Sequence, residues 1–182
     1  MSEEELQKQT SVNIQEKANL IWSIADKLVG LYKPHEYGRV ILPMCVIKRF
    51  EDTLAPTKEA VIKTNQELDA KGIVVKKGFL EAAAQQHFYN TSRFTFDILL
   101  ADADNIKDNF ENYLSHFSEN VIDIINCMEF HNEIKKLADN NRLYLVIKEF
   151  CSAKAYLGAD MVSSVDMGYI FAELVRKFSE SY

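Results

Sequence analysis

The sequence predicts an all-α fold, an irregular bundle of several helices with at most one short hairpin near residues 73–79. Apolar residues recur at helical spacing along most of the 182-residue chain. Runs that alternate apolar and polar residues, as half-buried strands do, are missing. Glycines and prolines mostly fall near the ends of the helical segments, where they favour starts and stops.

The first helical stripe predicts a helix that ends near Gly30, where a glycine favours termination. Its apolar members share one helical face: Ile14, Ala18, Ile21, Trp22, Ala25, Leu28 and Val29. Pro34 follows at a spacing that suits the first position of another helix, because proline needs no hydrogen bond for its nitrogen there.

Residues 40–47 form an apolar run interrupted by Pro43, and the run alone does not distinguish a buried strand from a buried helix. It is too short to cross a bilayer, which requires about 20 residues. Helical spacing continues to Leu54, which favours a helix that begins or bends near Pro43. Lys48 and Arg49 lie opposite the apolar face of this continuation, and we expect both to be exposed.

The rest of the chain predicts further helices separated by loops. They are expected over residues 56–70, within 80–88, in two or three pieces of 95–128, within 130–141 and 142–153, and from Met167 to Phe178. Ser118 is the expected N-cap of one helix, and Ser164 or Asp166 that of the last. Residues 73–79 are the best strand or loop candidate, and residues 154–164 are expected to form a loop.

Charge is distributed unevenly along this acidic chain, whose formal net charge is −6. Residues 33–93 carry a net charge of +3 and residues 94–140 a net charge of −7. Because neutralising phosphates supplies most non-specific DNA affinity, any DNA contact is expected within 33–93. A merely solvated surface is the alternative. The acidic N-terminus lacks the pattern of a secretory signal, so we expect a cytoplasmic protein with no membrane contact.

No motif for cofactor, nucleotide or nucleophile chemistry is visible, and no catalytic, cofactor-binding or metal-binding residue is assigned. The six glycines form no Gly-x-Gly pair, which excludes the usual glycine-rich phosphate loops. A zinc site could be drawn from Cys127, His131, His116 and Cys151, but it lacks paired ligands at tight spacing. Buried free thiols, with Cys45 as the third, are the expected alternative.

Four stretches in order resemble the N-terminal helical domain of the modification (DNA methyltransferase) subunit of type I restriction–modification systems. They are Leu20–Val61 (LIWSIADKLVGLYKPHEYGRVILPMCVIKRFEDTLAPTKEAV), Asn90–Asp102 (NTSRFTFDILLAD), Asn109–Ile125 (NFENYLSHFSENVIDII) and Val165–Glu180 (VDMGYIFAELVRKFSE). Two positions depart from the pattern. Ala172 stands where a glutamate is expected, and Gly158-Ala159 where a proline is expected.

The resemblance implies that residues 1–182 form one N-terminal domain and that a catalytic domain would follow Tyr182. In the full protein, S-adenosylmethionine would donate a methyl group to adenine N6 of DNA, whereas this chain alone would hold no cofactor and be inactive. The implied partners are the specificity subunit, the restriction subunit, a second modification subunit and, through the complex, double-stranded DNA.

The resemblance implies roles in assembly and in clamping DNA. Within the basic segment, the candidate DNA-facing residues are Lys48, Arg49, Lys76 and Lys77. A helical module that contacts only proteins is the alternative.

Overall fold

Helices supply the regular structure of residues 2–180, which the computed structural model describes apart from the side chains of Thr10 and Val12. The helices are α1 Glu3–Trp22, α2 Gly38–Leu54, α3 Lys58–Ala70, α4 Lys77–Ala84, α5 Phe96–Ala101, α6 Ile106–Ser115, α7 Glu119–Cys127, α8 Phe130–Asp139, α9 Leu143–Glu149 and α10 Ser164–Glu180. Within this described part, β-pairing is limited to two isolated bridges. The prediction of an all-α bundle is therefore confirmed.

Helix α1 begins earlier than the apolar stripe indicated, because local capping extends it. The Ser2 side chain accepts a hydrogen bond from the Glu5 backbone, and the Glu5 carboxylate accepts one from the Ser2 backbone. After Trp22 the chain tightens into a 3₁₀ turn, and Gly30 follows with a left-handed φ of +85°. The predicted stop near this glycine is close to the observed end of the helical segment.

Helix α2 begins at Gly38, so Pro43 lies buried in its second turn rather than at its start. Of the two alternatives, a helix that begins or one that bends near Pro43, the first is therefore wrong, because the helix begins five residues earlier. A Cβ at Gly38 would lie 2.7 Å from the Phe178 ring of α10, closer than real side chains approach. The missing side chain thus allows α10 to pack directly on the start of α2.

The core is centred on α2, which packs against α1, α8 and α10. Phe96, Phe110, Tyr113 and Phe117 form a chain of ring contacts beside it, with centroids 5.0 to 6.4 Å apart. Fully burying one such side chain contributes about 1.5–3 kcal/mol. Among residues 2–180, no helix combines the length and apolar character needed to cross a bilayer.

Serines mark two helix starts, and the structure revises how they act. Ser118 occupies the N-cap position of α7, but its hydroxyl donates to Asn120 and accepts from the Tyr89 backbone. At α10 the capping oxygen belongs to Ser163, which accepts a 3.1 Å hydrogen bond from the Asp166 backbone. The predicted caps Ser164 and Asp166 therefore lie one and three residues too late.

Candidate functional site

The strongest polar arrangement in the described chain is a buried cluster between α2, α3, α6 and the segment that precedes α5. Glu51 accepts hydrogen bonds from the Phe96 backbone at 2.6 Å and from the Tyr113 hydroxyl at 3.2 Å. Lys58 donates to the Asn90 side chain at 2.8 Å and to the Phe94 carbonyl at 3.0 Å. Each of these charged groups thus has partners, as buried charges require.

Burial shifts the protonation of this polar cluster. Loss of solvent raises the pKa of Glu51, although the Phe96 hydrogen bond and the Lys58 charge oppose that shift. Loss of solvent also lowers the pKa of Lys58 to about 8, with the Glu51 charge acting in the other direction. Burial likewise raises the pKa of Tyr113, so its hydroxyl stays protonated and donates to Glu51.

The lowered pKa of Lys58 predicts a pH-dependent contribution to stability. Because its folded-state pKa of about 8 lies below the usual 10.5, its contribution is full above pH 10.5 and is lost as pH falls through about 8. Relative to a Lys58→Met variant, the wild-type chain should gain about 1 kcal/mol per pH unit between pH 8 and 10. Urea unfolding at several pH values checks this. Parallel profiles of unfolding free energy against pH for the wild-type chain and Lys58→Met would contradict the prediction. Lys63→Met, at an exposed position on α3, is the control.

Lys48 and Arg49 do not lie on an exposed surface, so that expectation is wrong. Lys48 is only 6% exposed and pairs with Asp52 one turn later on α2. Arg49 is half-buried and donates to the Leu157 carbonyl at 2.8 Å and to the Val162 carbonyl at 2.5 Å. The face of α2 opposite the apolar core is covered by the loop before α10, which sequence spacing did not reveal.

This covering loop, residues 152–163, is attached to the bundle by charged side chains of two helices. From α1, Lys17 donates to the carbonyls of Lys154 at 3.1 Å and Tyr156 at 2.8 Å. From α2, Asp52 accepts a 2.8 Å hydrogen bond from the Leu157 backbone. These bonds satisfy backbone groups that a loop without regular structure would otherwise leave unpaired.

Gly158 lies in the same loop, at one of the two positions that depart from the resemblance. A Cβ there would overlap the Tyr156 hydroxyl, which is hydrogen-bonded to Asp160. A residue with a side chain at this position would therefore require the Tyr156 side chain to move.

Lys76 and Lys77 lie at the start of α4. Of residues 73–79, the strand or loop candidate, residues 73–76 are loop and residues 77–79 belong to α4, so the prediction is wrong for the last three. Lys76 is half-buried and pairs with Asp69, and it also donates to Asn65 at 3.0 Å. Lys77 is exposed. The structure thus separates the four candidates, with Lys48 and Arg49 attached inside the bundle and the two lysines at a distinct surface.

The cysteines and histidines do not converge on a metal site in the part of the chain that the structure describes. His131 contacts Glu111 at 2.9 Å, and His116 lies 2.7 Å from the Asn112 carbonyl. Cys45 is buried, and burial raises its pKa to about 12. Cys151 is half-buried, whereas Cys127 is exposed, so the expectation of a buried thiol is wrong for Cys127.

Open clefts lie on both sides of the covering loop. A cleft of about 270 Å³ lies beside the polar cluster and includes Asp97 and Cys151 in its lining. Two larger clefts, about 730 and 470 Å³, lie along the contact between α1 and α10 and share Ile14 and Asp166. The exposed side chains of Met161 and Tyr169 line these two clefts, and exposed Val165 lies one helical turn before Tyr169 on α10; we call this region the α1–α10 surface.

Sequence reasoning missed the buried polar cluster. Its signal was present in the apolar segments, where Glu51 and Lys58 interrupt stripes that are otherwise hydrophobic. Asn90 joins them from a segment without helical periodicity, and only the folded chain brings it within reach. The arrangement stabilises and orients the helices, since every hydrogen bond described for it lies within the bundle.

Comparison with known proteins gives one family. A family model described as the HsdM N-terminal domain matches residues 17–150, well over half of the chain. Comparisons with curated proteins and with solved structures gave no significant match. The matched region contains α2 to α9 and the complete polar cluster. The chain therefore belongs to the family of N-terminal domains of the modification subunit of type I restriction–modification systems.

Proposed function

We propose that this chain is the non-catalytic N-terminal module of an adenine-N6 DNA methyltransferase, contributing assembly and DNA clamping in the cytoplasm. The family match over residues 17–150 is the observation that carries the proposal. A catalytic domain after Tyr182 would bind S-adenosylmethionine and transfer its methyl group. The module would contact the specificity subunit, the restriction subunit and a second modification subunit.

The α1–α10 surface supports a role in assembly. Met161, Val165 and Tyr169 are exposed there beside two adjoining clefts. Contiguous exposed apolar side chains beside a groove mark protein interaction sites more often than ordinary surface. Because α10 follows the attached loop, a partner bound on this surface would be oriented relative to the whole bundle.

Lys76 and Lys77 support a role in DNA contact, and Lys77 has the more exposed side chain. They lie within residues 33–93, the segment with a net positive charge. An exposed ammonium group attracts phosphate without reading bases, which fits a clamping function. Since Lys76 is partly neutralised by Asp69, Lys77 is the better single target for mutation.

Charge reversal at Lys77 tests the DNA contact. In the modification enzyme that contains this chain, Lys77→Glu should weaken DNA binding and lower the slope of log affinity against log salt by about one. Lys148→Glu, an exposed lysine on α9, is the matched control and should leave the slope unchanged. Equal slopes for the wild-type enzyme and both variants would contradict DNA contact at this position.

A module that contacts only proteins is the second candidate. The net charge of −7 over residues 94–140 favours it, because that segment repels phosphate. The internal bonding of Lys48 and Arg49 favours it too, since it leaves fewer cations to meet DNA. An unchanged salt slope for Lys77→Glu would select this candidate.

A further inference from the structure

Helices α3 and α4 form a hairpin, residues 58–84, that we call the arm. The two helices pack chiefly on each other, and Leu68 and Leu80 are buried in the arm. Its tip, residues 71–79, carries apolar side chains that remain in solvent. Val74 is 87% exposed, Val75 81% and Phe79 54%, and the two valines are the most exposed large apolar side chains in the described chain.

The tip holds these side chains outward because its backbone is fixed at both ends. Gly72 has a left-handed φ of +70°, and the Ile73 backbone donates to the Leu68 carbonyl at 2.9 Å, which closes α3. The Leu80 backbone donates to the Lys76 carbonyl at 3.0 Å, which opens α4. The two valines therefore project from a short segment without regular secondary structure between two anchored helix ends.

Lysines flank the exposed valines along the chain. Residues 69–79 contain three lysines, Lys71, Lys76 and Lys77, and one aspartate. The aspartate, Asp69, is paired with Lys76, whereas Lys71 and Lys77 are exposed. Residues 69–79 thus combine two exposed valines with a net charge of +2, in a chain that is acidic overall.

This combination favours duplex DNA over a protein as the partner of the tip. Lysine is depleted in protein–protein interfaces, and valine is under-represented among their dominant residues. Proteins that bend DNA, by contrast, insert apolar side chains between base steps of the minor groove while nearby cations contact phosphates. A narrow projection with two adjacent aliphatic side chains matches that geometry.

We propose that the arm tip inserts Val74 and Val75 into the minor groove of duplex DNA and partly unstacks one base step, while Lys71 and Lys77 contact the flanking phosphates. This inference rests on the proposed DNA contact and adds a mode of contact to it. Insertion widens the groove and kinks the duplex away from the arm. Easily unstacked pyrimidine–purine steps, such as TA, are the preferred sites.

The experiment uses the modification enzyme that contains this chain and a 40-base-pair duplex labelled at both ends for energy transfer. Val74→Ser/Val75→Ser should reduce the protein-induced kink and weaken binding by about tenfold, without changing the salt slope. Lys71→Ala/Lys77→Ala should lower the salt slope by about two. Val29→Ser/Ile124→Ser, at exposed apolar residues outside both the arm and the α1–α10 surface, is the matched control and should leave the kink unchanged.

Each outcome separates the insertion from the underlying DNA contact. A lower salt slope for the lysine variant with an unchanged kink and affinity for the serine variant would overturn insertion and leave DNA contact standing. No effect of either variant would overturn both. Loss of a subunit from the purified enzyme, seen only with the serine variant, would identify the tip as a protein interface and overturn insertion. Because both valines are exposed, the serine variant should fold normally.

Discussion

Replacing Asp52 with alanine is expected to lower the free energy of unfolding by about 3–5 kcal/mol, because it leaves the buried ammonium of Lys48 unpaired. Both side chains are about nine-tenths buried. The same change removes the acceptor of the Leu157 backbone N–H. Urea unfolding followed by circular dichroism measures the loss, and hydrogen exchange should show faster exchange in residues 156–163.

The chain offers a matched control with the same residue types and spacing. Lys135 and Asp139 also form a lysine–aspartate pair one helical turn apart, but on an exposed face of α8. Asp139→Ala should therefore change the urea midpoint little. The double variant Lys48→Met/Asp52→Leu should recover most of the lost stability, because it removes both buried charges. Equal losses for Asp52→Ala and Asp139→Ala would contradict the prediction.

Replacing Glu51 with alanine should cost about 2–4 kcal/mol, because the Phe96 backbone N–H and the Tyr113 hydroxyl both lose their acceptor. The Lys58 charge also loses the neighbouring carboxylate that favours its protonated form. Thermal and urea unfolding would measure the effect. Glu51→Gln, which keeps one acceptor oxygen in nearly the same shape, should lose less.

Glu59→Ala is the second comparison for Glu51, since Glu59 is an exposed glutamate on the neighbouring helix α3. Its replacement should alter the midpoint only slightly. From most to least stable, the variants should rank Glu59→Ala, Glu51→Gln and Glu51→Ala. A Glu51→Ala midpoint indistinguishable from that of Glu59→Ala would show that the buried cluster contributes no net stability.

Helix positions were predictable from the sequence because they depend on spacing within about ten residues. The stripe from Met167 to Phe178 corresponds to α10, and residues 56–70 correspond to a 3₁₀ turn followed by α3. Caps were less predictable, because a serine hydroxyl has several possible partners. At Ser118 the hydroxyl accepts from the distant Tyr89 backbone and donates to the neighbouring Asn120 side chain.

The surroundings of Lys48 and Arg49 were not predictable, because they depend on contacts more than 100 residues away in the chain. The carbonyl partners of Arg49 are separated from it by 108 and 113 residues. Helical periodicity shows which face of α2 is apolar, but it does not show that the other face is covered as well. The spacing of Lys48 and Asp52 by four residues was the one local signal of a pair.

The candidate DNA contact was only partly predictable for the same reason. Net charge over residues 33–93 selected the stretch that contains Lys77 but weighted all cations equally. Exposure and partners then distinguish Lys77 from Lys48, and neither is contained in a charge count. The exposed valines of the arm tip lie within residues 73–79, the predicted strand or loop. Apolar side chains in such a segment gave no reason to predict that they are exposed to solvent.

The hydrogen bonds that attach the loop before α10 limit how far this chain can be truncated. The family match ends at residue 150, but Lys17, Arg49 and Asp52 all find partners beyond that boundary. A polypeptide trimmed to the matched residues would leave Lys17 and Arg49 without these carbonyl acceptors and would uncover the flank of α2. We therefore expect a stable fragment to need the loop and α10 in addition to the residues that the family model matches.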